Sequence, residues 1–334
     1  MIKHLYQNLK RKFIASAIIN CGLYRLFLPK KEEKLIIMFH GVTENPGNSV
    51  RNISTNEFIK TLNLLKKNFE IVSLDSIMNN ATHSKPAIAI TFDDGYLNNF
   101  TEAIPILEKY SLPATFFLIT KSLANKNLIL PIDFVDCIID HEKPSSIQID
   151  DQIFYHKDKY RSLVQGLSIY DYIIKNTDRM DQIQEQLEKQ FNLDFYLSDS
   201  LYSKRAILVS KDELEKHLSK PLFSFQSHTY SHINLNIKMG KEKLLYELNK
   251  PIENFKEINN YPCEMIAFPY GEYNEDTYKT GMEVGYKYFL TVTNKYHWEK
   301  QYSNMFQRIG ISNTTTAEVN FLNIIIQSRK KAFK

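Results

Sequence analysis

Two pairs of side chains in this sequence could carry out hydrolytic chemistry at a metal ion. Asp93 and Asp94 stand side by side after the apolar run 87–92, and His228 and His232 lie four residues apart in SHTYSH. Adjacent carboxylates repel each other, and burying them is costly unless a cation offsets their charge. Histidines at this spacing can both face one ion from a helical turn or from a loop of similar pitch.

Two histidines and one carboxylate leave positions on a metal ion open for water and substrate, which is a catalytic arrangement. One aspartate can then bind the ion while the other accepts a proton from the attacking water. The aspartate pair and the histidine pair each also have a purely structural explanation. An Asp-Gly pair after a strand is a common turn, and chance pairs of histidines at this spacing are frequent. The presence of both pairs in one chain favours the metal site.

These residues need a fold that brings strand ends together. Short apolar runs alternate with helical segments, which indicates a parallel α/β sheet, either open or closed into a barrel. In such folds the chemistry lies at the carboxyl ends of the strands, where His40, Asp93 and His228 all fall. The predicted strands are 35–40, 70–74, 87–92, 112–119, 222–226, 264–268, 286–293 and 305–309.

The alternation stops between residues 121 and 205, where the chain is polar with helical stretches. Because strand–helix alternation resumes afterwards, we expect one long, mostly helical insertion within a single domain over residues 34–330. Asp133 and Asp136 in this insertion could contact a substrate, but we expect them to be solvated or to cap helices.

Composition limits the possible partners. The net charge of +4 is mild, and the absence of a stripe of arginine and aromatic residues argues against nucleic-acid binding. Three widely separated cysteines without C-x-x-C spacing form neither a disulfide framework nor a thiolate zinc site, which fits a reducing compartment.

Residues 1–33 show the pattern of a basic amphipathic helix. Its apolar stretch is too short and too polar to span a bilayer, and we find no convincing signal-peptide cleavage site. Such a helix can lie on an anionic membrane surface or pack on the core of the protein itself. We therefore expect a cytoplasmic protein, peripheral to the inner face of the membrane, with export behind an N-terminal anchor as the alternative. The sequence does not indicate an oligomeric state.

Three segments resemble the polysaccharide deacetylase family, which is carbohydrate esterase family four. They are TFDDG at 91–95, HTYSH at 228–232 and FPYG at 268–271, in that order. The resemblance covers about residues 34–120 and 206–328. It implies a distorted (β/α) barrel, here of about seven strands.

The resemblance also implies roles for individual residues. Asp94, His228 and His232 would hold a divalent metal, usually zinc, and Asp93 would be the general base. The turn at Tyr270 would present its backbone N–H to the developing oxyanion.

Two departures from the family pattern change the supporting residues. The arginine that family members have three residues before the tyrosine is Ala267 here, and Arg308 is our candidate to replace it. A C-terminal Leu-x-His, whose histidine acts as general acid in the family, is absent. The biofilm poly-N-acetylglucosamine deacetylase subgroup places a histidine after an N-terminal strand instead. MFHGV at 38–42 fits that order, which makes His40 the candidate acid.

We therefore expect a metal-dependent N-deacetylase that acts on an amino sugar in a cell-surface polysaccharide, an oligosaccharide or a lipid-linked glycan precursor. One alternative is a deformylase or another amidohydrolase on a lipid-linked sugar. A different class of protein, a catalytically silent carbohydrate-binding protein, is the other alternative.

Overall fold

The structure is a computed structural model that describes residues 2–47, 49, 51–162, 166–237, 239–292 and 302–332. Within those residues the strands in chain order are β1 Lys34–Phe39, β2 Gly41–Thr43, β3 Asn52–Ser54, β4 Glu70–Val72, β5 Ala87–Phe92, β6 Ala114–Leu118, β7 Ser146–Ile149, β8 Gln152–Tyr155, β9 Arg161–Ser162, β10 Phe223–Ser227, β11 Met265–Ala267, β12 Tyr288–Val292 and β13 Met305–Gly310.

The α-helices in chain order are α1 Ile2–Asn20, α2 Thr55–Asn68, α3 Leu74–Met78, α4 Ile104–Lys109, α5 Lys121–Ala124, α6 Pro131–His141, α7 Ile169–Lys175, α8 Met180–Glu188, α9 Leu193–Ser198, α10 Ser200–Ala206, α11 Lys211–Glu215, α12 Lys241–Glu257, α13 Glu275–Val284 and α14 Ala317–Ala332. Short 3₁₀ turns include Leu23–Phe27 and Pro269–Gly271, and a π-helical turn, Asn99–Ala103, precedes α4.

Seven parallel strands close into a barrel, which confirms the predicted fold. The ring runs β1, β13, β12, β11, β10, β6 and β5, and β5 pairs again with β1. The register aligns Phe39 of β1 with Phe92 of β5, so the residues that follow each strand lie side by side. The eighth strand, β4, pairs only with the first half of β5 and stays outside the ring.

Successive side chains along each strand point alternately into the barrel and toward the surrounding helices. The interior cluster includes Ile36, Ala89, Phe117 and Ala267, whereas their strand neighbours pack outward against the helices. Because side chains repeat every second residue in a strand, the same inward rows continue upward to the strand ends. The inward rows of β1, β5, β10 and β13 reach His40, Asp93, His228 and Arg308.

The insertion has its own hydrophobic core and is not only helical. It contains α5 to α10 together with an antiparallel sheet of β7, β8 and β9 that the sequence analysis did not predict. The stretch SIQIDDQIFY at 146–155 folds into a hairpin, with Asp150 in the left-handed region at φ 51°. The insertion core also takes in Tyr96 and Ile119, which follow β5 and β6, so the insertion lies over the carboxyl end of the barrel.

Helix α1 and the following 3₁₀ turn pack on the outside of the barrel. Ala15 is buried, Ile18 and Ile19 pack on the outer core, and Tyr24 meets Phe321 of α14 edge-on at 5.4 Å. Among the helices in the described residues, none is both long enough and apolar enough to cross a bilayer.

Candidate active site

The backbone turns sharply just after β5, at Asp94 and Gly95. Asp94 has φ 70° and Gly95 has φ 77°, both in the left-handed region. A Cβ on Gly95 would lie 2.8 Å from a methyl carbon of Leu118, so the turn depends on glycine. Both carboxylates are buried, with side chains about 4% and 3% exposed, so each needs compensation.

The two histidines converge on Asp94. Asp94 Oδ1 lies 3.3 Å from His228 Nε2 and 3.2 Å from His232 Nε2. His228 Nδ1 donates to the Ala267 carbonyl oxygen at 2.8 Å, which fixes the tautomer and leaves Nε2 with a free lone pair. Ala267 therefore orients a histidine through its backbone.

This set fits a divalent cation. Ligand atoms from Asp94, His228 and His232 all lie within 4.8 Å of one another, and all three residues are buried. Within the described residues, Asp94 Oδ1 has no partner in hydrogen-bond geometry although two imidazole nitrogens face it. Burial alone would raise the pKa of Asp94, but the neighbouring imidazoles hold it well below its usual value. A carboxylate oxygen without a hydrogen-bond partner, next to two imidazole nitrogens, is a suitable ligand set for zinc or a similar ion.

Arg308 neutralises Asp93. Its two terminal nitrogens contact Asp93 Oδ1 at 2.6 Å and Oδ2 at 2.7 Å, in a bidentate pair with the arginine fully buried. Arg308 also lies over the ring of Phe117 and contacts Thr91 Oγ1 at 3.3 Å. Burial raises the pKa of Asp93, but the charge of Arg308 outweighs it, and the pKa lies below its usual value. Asp93 is therefore ionised at neutral pH.

His40 follows β1 next to Asp93. The Asp93 N–H donates to the Phe39 carbonyl oxygen at 3.0 Å, and Asn99 Nδ2 donates to the His40 carbonyl oxygen at 2.7 Å. The side chain is half-buried. Burial lowers the pKa of His40, and the charges of Asp94 and Asp93 offset this only in part.

Tyr270 closes the other side of the site. Its ring lies 4.7 Å from that of His232, and its backbone has φ 58°. Asp94 and His232 are also left-handed, at φ 70° and 63°. This conformation is unfavourable for residues other than glycine, and such strain collects at functional sites. The sequence carries no signal for it, apart from the glycines beside Asp94 and Tyr270.

The sequence analysis missed a buried ion-pair network beside the site. Arg51 Nε pairs with Asp133, and its Nη2 contacts Asp136 Oδ2 at 2.6 Å. Tyr96 donates to Asp133 Oδ2 at 2.9 Å. The expectation that the two insertion aspartates are solvated or cap helices was wrong, because Arg51 reaches them from the segment before β3. No local pattern links residues so far apart in the chain.

The family model for polysaccharide deacetylases matches residues 80–289, which is more than half of the chain. The chain therefore belongs to the polysaccharide deacetylase family, a family of hydrolases. It is 35% identical over 104 residues to YxkH of Bacillus subtilis, whose name assigns it to the same family. That alignment covers 29% of this chain and 36% of the relative.

Solved structures with the same fold are more distant in sequence. IcaB from Ammonifex degensii is 14% identical, with a TM-score of 0.57 over 90% of this chain and 98% of that one. A de-N-acetylase from Aggregatibacter actinomycetemcomitans is 15% identical, with a TM-score of 0.54 over 86% and 99%. The deacetylase PplD from Streptococcus pyogenes, solved with acetate, is 18% identical, with a TM-score of 0.52 over 89% and 99%.

Proposed function

We propose that the protein is a metal-dependent deacetylase that hydrolyses the N-acetyl group of an amino sugar in a glycan. The observation that carries the proposal is the pairing of two different aspartates with two different partners. Asp94 faces His228 and His232, whereas Asp93 is held by Arg308. One carboxylate is thus arranged as a ligand and its neighbour as an ionised base.

Asp94, His228 and His232 would hold the metal, for which zinc is our candidate. When bound, a divalent cation supplies Lewis-acid polarisation of the amide carbonyl and makes water easier to deprotonate. A lectin-like, silent protein would have no use for an ionised base beside these ligands. Membership of the polysaccharide deacetylase family supports the same reaction.

The chain's own groups provide the proton transfers. Asp93, kept ionised by Arg308, accepts a proton from the attacking water. The Tyr270 N–H stabilises the developing oxyanion. His40, at the end of the strand beside Asp93, delivers a proton to the leaving amine. The products are acetate and a free amino sugar.

A candidate histidine acid that directly follows β1 supports a substrate of the biofilm poly-N-acetylglucosamine type. The support is the motif order, because His40 precedes the TFDDG segment and Ala267 replaces the usual arginine. Cell-surface polysaccharides and lipid-linked precursors of N-acetylated glycans are therefore the substrates to test first.

The test is mass spectrometry of N-acetylated glycan oligomers incubated with zinc-loaded protein. We expect the loss of acetyl groups and the appearance of free acetate. N-formylated oligomers in the same series distinguish a deformylase, since faster loss of formyl would replace our assignment.

A second arm of the experiment uses Asp93→Asn, which keeps the size of the side chain and removes the base. This variant should retain its bound metal and lose acetate release. Near-normal turnover of Asp93→Asn would show that Asp93 is not the base. Glycan binding by a protein that holds no metal and releases no acetate would favour the silent binding protein.

A further inference from the structure

Exposed apolar side chains are concentrated in one region of the molecule. Among the described side chains, eleven large hydrophobic residues are exposed, and six of them lie in α1, the following 3₁₀ turn and α14. We call these six the N-terminal patch: Phe13, Ile14, Leu23, Leu26, Phe27 and Ile326. Phe13 is 76% exposed and Leu26 is 72% exposed. A concentration of exposed apolar side chains of this kind usually marks an interaction site.

The N-terminal patch is held together by defined contacts and is not a loose tail. Arg11 donates to Asn323 Oδ1 of α14 at 3.1 Å, and a groove of about 340 Å³ lies between the two helices. Arg329 donates to the carbonyl oxygens of Leu26 and Phe27 at 3.1 and 3.2 Å. The apolar side chains are therefore presented by a fixed scaffold.

Charge is segregated in the same way. Residues 1–31 contain seven lysines and arginines and no acidic residue, and residues 329–334 contain four and none. The remaining residues, 32–328, carry 31 basic and 38 acidic side chains. The mild overall charge thus conceals two strongly basic segments at the ends of the sequence and an acidic remainder. Within the described side chains of these segments, Lys10, Arg11, Arg25, Lys30, Lys31 and Arg329 are exposed.

The 3₁₀ turn that carries Leu23, Leu26 and Phe27 lies near the amino end of the barrel strands. Tyr24 packs on Phe321, and Phe321 packs edge-on against Phe69 with ring centroids 6.2 Å apart. Phe69 directly precedes β4, so this contact marks the level where strands begin. The candidate active site lies at the opposite, carboxyl end.

We propose that the N-terminal patch docks the protein on an anionic lipid bilayer, with its apolar side chains inserted among the headgroups. Exposed apolar residues surrounded by lysine and arginine are the features that bind a helix in a membrane interface. A second copy of the chain is a poorer occupant, because two such basic surfaces would repel each other. This inference does not depend on the hydrolytic function proposed above.

The test is co-sedimentation of the full chain with vesicles of phosphatidylcholine, either alone or mixed with phosphatidylglycerol. We expect binding to the mixed vesicles and much weaker binding to the neutral ones. Raising the salt concentration should release the protein, because the charges at a membrane surface are screened. Equal binding to both kinds of vesicle, or to neither, would overturn the proposal.

Matched variants separate the apolar and electrostatic contributions. Phe13→Ser with Leu26→Ser removes two highly exposed side chains and should weaken vesicle binding by about tenfold or more. Leu245→Ser with Met282→Ser removes two exposed side chains elsewhere and should leave binding unchanged.

Lys10→Gln with Lys30→Gln should weaken binding about fivefold for each charge removed, whereas the exposed controls Lys189→Gln with Lys241→Gln should not. Analytical ultracentrifugation of the same variants tests the alternative occupant. If the patch variants change the oligomeric state and leave vesicle binding intact, the patch is a protein interface and the proposal fails.

Discussion

Arg308 and Asp93 are 215 residues apart in the sequence and form a buried ion pair in the candidate site. A general base works only when ionised, so activity falls as the pH drops through its pKa. Arg308 lowers the pKa of Asp93 against the effect of burial. Weakening that pair must therefore raise the pKa and move the acidic limb of the pH profile upward.

Arg308→Lys is the variant that tests this coupling, because lysine keeps the charge and loses the two-point contact. We expect kcat/KM to fall by about 10- to 100-fold and its acidic limb to shift to higher pH. The control is Arg205→Lys, another buried arginine, which pairs with Asp140. An acidic limb that stays in place in Arg308→Lys would show that Arg308 does not set the ionisation of Asp93.

The proposed metal site leads to a prediction that can be tested without a substrate. Zinc at 100 times its dissociation constant should stabilise the native chain by about 2.7 kcal/mol, which raises the melting temperature by several degrees. His232→Gln should lose this response. His217→Gln should keep it, because His217 is a buried histidine that contacts Glu213 and lies outside the cluster. The measurement is thermal unfolding with and without zinc.

At the scale of elements, the barrel strands could be predicted from sequence because they are short, apolar and separated by helices. The strand 87–92 was predicted with the bounds that β5 has. The small sheet of the insertion was missed, although Ile147 and Ile149 alternate with polar residues in the way of a half-buried strand. The surrounding polar, helical sequence obscured that signal.

The site could be predicted mainly where its residues share a motif, and Arg308 was predicted from its place near the end of the last strand. The aspartate pair and the histidine pair are each local in sequence, whereas Arg51 and Asp133 are brought together by the docking of the insertion. The left-handed backbone of His232 and Tyr270 could not be predicted, because tertiary contacts impose it against local preference.

The Arg51 ion pairs connect the insertion to the segment before β3, and their loss should lower the free energy of unfolding. Asp133→Ala removes one of the two carboxylates that pair with the buried Arg51. We expect the free energy of unfolding to fall by about 3 kcal/mol. Burial raises the pKa of Asp133 to about 6 despite Arg51. Denaturant unfolding at about pH 8 therefore compares states in which the carboxylate is ionised.

Asp212→Ala is the matched control for that measurement. Asp212 forms an ion pair with Lys126, but both side chains are largely exposed, so its removal should have little effect. Equal effects of the two substitutions would mean that the Arg51 network contributes no more than a surface pair.

At the scale of the whole molecule, the three cysteines report on the integrity of the fold. Cys21 is exposed, whereas Cys137 lies in the insertion core and Cys263 in the outer core between the barrel and its helices. Burial raises the pKa of both buried thiols, which removes the reactive thiolate.

A thiol reagent should label one cysteine rapidly in the native protein and all three after denaturation. Cys21→Ser should abolish the rapid phase. Rapid labelling of Cys137 in this variant would indicate that the insertion opens independently of the barrel.

The closure of the barrel also orders events during synthesis. Strand β1 pairs with β5 on one side and with β13 on the other, so its second edge stays open until the last strand has left the ribosome. Asp93 also lacks its ion-pair partner until then, because Arg308 lies on β13. A nascent chain that stops short of β13 therefore has an open sheet edge and an uncompensated acid at its centre. We expect such a chain to aggregate more readily, whereas a chain that contains β13 can bury both.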